Sequence, residues 1–291
     1  MTTTISAPSL ASGRTQRVAP RPSMVRLVAV EMRRALHRPL VRWMIVLALV
    51  LAAFAGVTAF LTSNDAQQLA SDPSHPANMT TWYRPGEDGI ILTFALFLMI
   101  GAAICGASVA GAEWKAGTVT TVLTWEPNRW RLHICRTLSA GVLAFVIGLL
   151  LQVVALSMLI PAVLLHGSTA GTDGAWWGAL GLVMVRIALV TAMVATLAVS
   201  FATVGRNTSA ALIVMAAYAL VIERLIAGLR PNLARFLIAE NVATFVPWRQ
   251  MESVPFERGP LLALMTLLAY LAVVVALATV SFVRRDIAAS T

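Results

Sequence analysis

The sequence predicts an all-α membrane protein with six transmembrane helices and both termini on the cytoplasmic side. Apolar residues make up 58% of the 291-residue chain and charged residues only 12%, against about 25% charged in a soluble domain. Mean hydropathy is +0.80. The charges fall in clusters between long uncharged stretches, and nothing outside those stretches could build a core of its own. A single membrane domain over residues 24–291 follows, preceded by a tail of residues 1–23.

The tail is rich in Thr, Ser, Pro and Arg and has no apolar h-region. It reads as a disordered cytoplasmic segment and not as a secretory signal peptide. Residues 24–37 then form an amphipathic helix on a 100° wheel. Met24, Val25, Val28, Ala29, Met32, Ala35 and Leu36 share one arc; Arg26, Glu31, Arg33, Arg34, His37 and Arg38 share the other, with Leu27 and Val30 as exceptions. Pro39 ends it just before the first span. Such a helix is expected to lie in the inner headgroup plane, its arginines (Arg26, Arg33, Arg34) against anionic lipid. A generic juxtamembrane anchor and a surface touched by an intracellular partner both fit this pattern.

A spanning helix needs about 20 apolar residues. Six stretches qualify, at about residues 43–61, 89–112, 138–165, 177–204, 209–228 and 259–283. Orientation follows from the basic residues between them. With the N-terminus inside, eight arginines precede the first span. Lys115, Arg129, Arg131 and Arg136 lie between spans two and three, Arg206 between four and five, and Arg284 and Arg285 after six. Only Arg84 and the five arginines of residues 223–259 lie outside. The opposite orientation inverts the bias. Lys115 is the one lysine against 21 arginines, which suggests a GC-rich bacterial genome and hence a bacterial plasma (inner) membrane.

Residues 63–88 carry Asn, Asp, Pro and Ser and read as an exposed outer loop. Asn207 sits in a very short inner turn, so spans four and five form a tight hairpin. Residues 230–258 are too polar to span yet contain Phe236, Leu237, Ile238, Val242 and Phe245, as an amphipathic or re-entrant outer element would.

Several chemistries are excluded or disfavoured. The net charge of +9 flanks apolar segments instead of forming a basic patch, so no nucleic-acid partner is expected. A phosphate-binding GxxxxGK[ST] loop is impossible, because Ala116 follows the only lysine. The chain therefore has no ATPase site of that kind. Ser108 in Gly106-Ala107-Ser108 has no histidine at matching depth in a span. Ala102, Gly106 and Ala110, and likewise Ala103, Ala107 and Gly111, recur every four residues and suit close helix packing instead. Cys105 and Cys135 lack metal-ligand spacing, and no catalytic or metal residue is assigned. Arg186 is the one charge well inside a span, at a cost of about 2.5–3.5 kcal/mol on insertion scales. Glu223 on the next span is its candidate partner, in a structural ion pair or along a substrate pathway.

After span two the chain reads Gly111-Ala-Glu113-Trp114-Lys115-Ala116-Gly117-Thr118-Val-Thr-Thr-Val122-Leu123-Thr-Trp-Glu126-Pro127-Asn-Arg129. This resembles the cytoplasmic loop of the type-2 ATP-binding-cassette (ABC) transporter permeases of bacterial export type. Glu113, Gly117, Thr118, Leu123, Pro127 and Arg129 match the pattern. One residue more than usual separates Thr118 from Pro127, and Asn128 stands where Ser is frequent. The amphipathic helix, six spans, cytoplasmic ends and outer segment before span six extend the likeness.

The resemblance implies a permease subunit of an ATP-driven exporter. It would form half of a substrate pathway and pair with a second permease copy, identical or homologous. A separate ATPase subunit would bind ATP and magnesium, this chain holding no cofactor itself. It further implies a cytoplasmic coupling helix over residues 113–123, with Trp114 and Lys115 in it, supported by the amphipathic helix. Glu113 would offer an acceptor to a partner's basic side chain, Gly117 would permit close backbone contact, and Pro127 with Asn128 would stop one helix and cap the next. The alternatives are an ion-driven transporter, an intramembrane enzyme and a membrane scaffold. A single intramembrane arginine and no evident repeat weigh against the first, and the missing catalytic set against the second.

Overall fold

The structure, a computed structural model, describes residues 23–65, 69, 72–84, 89–250 and 258–284. The tail as far as residue 22, and Arg285, lie outside the described residues. The described chain is helical, without a named strand, and six of its helices are long and apolar enough to cross a membrane. The chain is thus a multi-pass membrane protein.

Helix α1 (Met24–Leu36) starts where the Ser23 side chain accepts a hydrogen bond from the Arg26 amide, satisfying one free N–H of its first turn. Pro39 then opens the first span, α2 (Pro39–Thr62), at a position where its missing N–H costs nothing. The second span, α3 (Ile90–Lys115), runs past the expected end near residue 112 and takes in Glu113, Trp114 and Lys115. A short helix α4 (Val119–Trp125) follows, and then the long α5 (Arg129–His166). At roughly 1.5 Å per residue, the 38 residues of α5 reach about 57 Å. A hydrocarbon core is about 30 Å thick, so the α5 segment holding Arg129, Arg131 and Arg136, which lies before the apolar stretch of residues 138–165, continues beyond it as helix.

The fourth span, α6 (Gly174–Gly205), is capped by Asp173, whose side chain accepts from the Trp176 amide at 2.8 Å. It ends on Arg206 at φ 53°, and Asn207 accepts from Ser209 N at 2.8 Å to start α7 (Thr208–Leu229). The expected hairpin is present. A π-helical turn over Tyr218–Ile222 interrupts α7. A 3-10 turn (Pro231–Phe236) and helix α8 (Ile238–Phe245) precede the last span, α9 (Pro260–Arg284).

Helix α6 is the centre of the bundle: 56% of its apolar window is buried, against 11% for α7. Helices α3, α5 and α9 pack around it, and α2 packs chiefly on α5. Small residues set the distances. A Cβ at Gly106 would fall on the Ala195 carbonyl of α6, so α3 and α6 meet almost backbone to backbone at that point. Large apolar side chains such as Phe54, Phe97, Leu150, Leu182, Leu220 and Met265 face outward, as a surface solvated by lipid requires.

The spans alternate in direction. One end of the bundle therefore carries α1, α4, the α6–α7 turn and the last turn of α9, and the other carries residues 72–84 and α8. Residues 72–84 correct the expectation of an exposed loop. Ala77, Met79, Trp82 and Tyr83 are buried, and Trp176 Nε1 donates to the Tyr83 carbonyl at 3.0 Å. The aromatic and apolar residues of this segment outweigh its polar composition, closing that end of the core.

Candidate functional site

The end that carries α1 and α4 holds a cluster of five charged side chains. Glu113, in the last turn of α3, is its hub. Its Oε2 accepts from Arg136 Nη2 of α5 at 2.6 Å; its Oε1 accepts from Arg38 Nη2 at 2.8 Å and Arg34 Nη2 at 3.2 Å. Arg34 Nη1 also donates to Glu31 Oε1 at 2.7 Å, and Arg136 Nε lies 3.8 Å from Glu31 Oε2. Arg38, at the α1–α2 junction, extends further into α3, donating to the Ser108 and Val109 carbonyls at 2.8 and 3.0 Å. Burial pushes the Arg38 pKa down and the Glu113 charge pushes it back up. The guanidinium keeps its proton. Three arginines against two glutamates leave one surplus positive charge.

Local sequence explains the assembly. Glu31 and Arg34 follow at i and i+3 on α1, and Arg38 reaches in from the extended junction just past its end. The inward face carries Val28, Met32 and Ala35 of the expected apolar arc together with the buried Glu31, while Val25, Ala29 and Leu36 of that arc are exposed. The wheel placed Glu31 and Arg34 on a solvated polar face, and the buried Arg136 and Glu113 are what draw them in instead. Helix α1 is further tied to α5, with the Ser139 hydroxyl donating to the Val28 carbonyl at 3.3 Å and the Cys135 thiol to the Met24 carbonyl at 3.9 Å. Arg26 and Arg33 remain outside the cluster, exposed.

Glu113 is consequently neither in a separate loop helix nor free to meet a partner. The expected helix over residues 113–123 divides at Gly117. Thr118 N donates to the Glu113 carbonyl and Gly117 N to the Trp114 carbonyl, with Gly117 at φ 68°. This is the Schellman arrangement that ends α3 with a left-handed glycine. Within this chain nothing lies within 4 Å of a Cβ built there, so what the fold asks of Gly117 is its backbone angle. Asn128 does hold the N-cap position of α5 after Pro127, but its side chain makes no cap hydrogen bond. Glu126 accepts from the Asn128 amide at 3.3 Å instead and pairs with Arg131 at 3.5 Å.

Helix α4 has two faces. Val119 is buried with Leu132 of α5 and Phe282 of α9, and Val122, Leu123 and Trp114 pack on them. Trp114 meets the Phe282 ring edge-on at 6.3 Å and takes the Arg206 guanidinium over its face at 4.9 Å. Arg129 Nη1 reaches the Val283 carbonyl at 3.5 Å. On the other face Thr120, Thr121 and Thr124 are exposed, as are Lys115, Gly117, Thr118 and Pro127, and Trp125 is 85% exposed. Of the sequence-predicted loop residues, Glu113, Trp114 and Leu123 therefore point into the protein, and Lys115, Gly117 and Thr118 point out of it.

At the opposite end Arg186 and Glu223 do not pair. Arg186 Nη1 donates to the Val246 carbonyl at 3.4 Å and its guanidinium lies 4.4 Å over the Trp248 ring. Glu223 accepts from the Ile238 and Ala239 amides at 2.6 and 3.1 Å, supplying the N-terminus of α8 with the acceptor its first turn lacks. Helix α8 thus takes Glu223 at its N-terminus, and the residues just after it take Arg186, in place of the pairing expected between the two spans.

Sequence reading missed Arg38, Arg136, Trp125, Arg206, Phe282 and Trp248. Only the i, i+3 spacing of Glu31 and Arg34 on α1 carried a usable signal. Among the described residues no three His, Cys, Asp or Glu side chains converge as a metal-ligand group. Ser108 donates its hydroxyl to the Cys105 carbonyl at 2.7 Å, inside its own helix. No protein-family model matches this chain, and no curated protein matches it in sequence.

Proposed function

We propose that this chain is the permease subunit of an ATP-driven exporter in a bacterial plasma membrane, with α4 as its coupling helix and both termini in the cytoplasm. Energy comes from a separate ATPase that binds ATP and magnesium, and a second permease copy completes the pathway. The observation that carries this reading is the two-faced α4. Its inner face is packed on the ends of three spans through Val119, Leu132, Phe282 and Trp114, and its outer face presents Thr120, Thr121, Thr124 and Trp125. An exposed tryptophan ringed by short polar side chains suits insertion into a partner's pocket.

The mechanism follows from the packing. Closure of the ATPase dimer displaces α4, and a close-packed contact transmits the displacement instead of absorbing it. Phe282 carries it to α9, Leu132 to α5, and Trp114 to α3 and the α6–α7 turn. The Glu113 cluster keeps α1 moving with α3 and α5. For transport to be driven, the ATPase must contact α4 differently in its two states.

The test is co-expression with a neighbouring ABC ATPase gene, followed by co-purification and ATPase assay. The expected result is a complex that Trp125→Asp and Thr121→Arg disrupt, with the permease still inserted in the membrane. Failure of any such ATPase to co-purify with the unaltered chain would overturn the proposal.

A further inference from the structure

We infer that the groove between α1 and the end of α3 is a binding site for one anionic phospholipid. The groove measures about 750 Å³ and is walled by Arg33, Arg34, His37, Arg38 and Pro39 on one side and by Ala112, Glu113, Ala116 and Thr118 on the other. This inference stands apart from the exporter reading and needs only that the bundle sit in a bilayer.

Charge comes first. Glu113 is the one acid on the groove wall, and three arginines already neutralise it. Arg33 is exposed and makes no ion pair among the described residues, and Arg34 keeps 40% of its side chain exposed. His37 Nδ1 accepts from Arg42 Nη2 at 2.6 Å, which sets a further cation beside the rim. Such a rim holds a surplus of guanidinium donors and lacks acceptors, the complement of a phosphate.

Depth and shape select a lipid over a soluble anion. Pro39 stands at the head of an apolar stripe on α2, where Trp43, Leu47, Val50 and Phe54 follow at helical spacing and are 69%, 48%, 57% and 66% exposed. Tryptophan next to arginine marks the headgroup level of a membrane. A phosphate held by Arg33 and Arg34 would therefore have its acyl chains led down the stripe into the hydrocarbon. The groove also touches Ala116 and Thr118, so the bound headgroup would join α1 to the turn that ends α3.

The test is native mass spectrometry of the full chain in detergent, titrated with phosphatidylglycerol or phosphatidylcholine. Retention of phosphatidylglycerol is expected to exceed that of phosphatidylcholine by more than about ten-fold. Arg33→Gln is expected to lower it about five-fold, the effect of one surface cation. Arg26→Gln, on the same helix but outside the groove, should leave it unchanged. Equal retention of both lipids, or equal losses in the two variants, would overturn the site. Displacement of phosphatidylglycerol by millimolar inorganic phosphate would assign the groove to a free anion and overturn it as a lipid site.

Discussion

Glu113 and Arg136 join α3 to α5 through a 2.6 Å charge-assisted hydrogen bond, with side chains only 5% and 4% exposed. Neither charge can be rehydrated in place, and the remaining partners, Arg34 and Arg38 for Glu113 and Glu31 at 3.8 Å for Arg136, do not replace this contact. Glu113→Ala or Arg136→Ala is expected to destabilise the chain by about 3–5 kcal/mol, the cost of stranding a buried charge. The double variant Glu113→Leu/Arg136→Met should lose less than the sum of the corresponding single losses. Unfolding followed by tryptophan fluorescence in detergent checks both; additive losses would dissolve the pair.

The end of α3 depends on the backbone angle of Gly117. Gly117→Ala should cost more than about 1 kcal/mol at φ 68°, and Gly117→Asn less, because asparagine tolerates the left-handed region. Hydrogen exchange at residues 116–119 would report the difference, with fraying of α4 in the alanine variant only.

Close approach of α3 and α6 rests on Gly106. Gly106→Ala should destabilise by about 1–3 kcal/mol through overpacking on Ala195. Gly101→Ala, on the same helix with nothing within 4 Å of the added methyl, should be neutral or slightly stabilising. Comparable losses in both variants would mean helix propensity and not packing is being read.

Arg186 and Glu223 share no partner, so Arg186→Met and Glu223→Gln should add to within about 0.5 kcal/mol in a double-mutant cycle. An interaction energy above about 1 kcal/mol would restore the ion pair that the sequence suggested.

The spans were legible because a bilayer demands an uninterrupted apolar length, and hydropathy measures that demand directly. What hydropathy does not register is helix that continues beyond the hydrocarbon. Hydropathy ends the second span near residue 112 and starts the third near 138, so the charged turns at Glu113–Lys115 and Arg129–Arg136 fall outside both spans, although each is continuous with its spanning helix. The α1 wheel sorted residues by polarity, which places Glu31 on a watery face only if no buried arginine waits for it. Arg136 does, from more than a hundred residues away, and a local period carries no trace of such a contact. For the same reason Arg186 was matched to the nearest acid on a neighbouring span. Its true contacts, Val246 and Trp248, come from a segment whose fold no periodicity announced.

If α4 receives the work of an ATPase, its outer face lies against that ATPase, and cross-linking from that face reads the contact. A photoreactive side chain would be placed at Trp125, at Thr121 or at Arg84 on the opposite end, in membranes holding the co-expressed ATPase. ATPase adducts are expected from positions 125 and 121 and none from 84. Adducts from position 84, or none from position 125 with the complex intact, would contradict it.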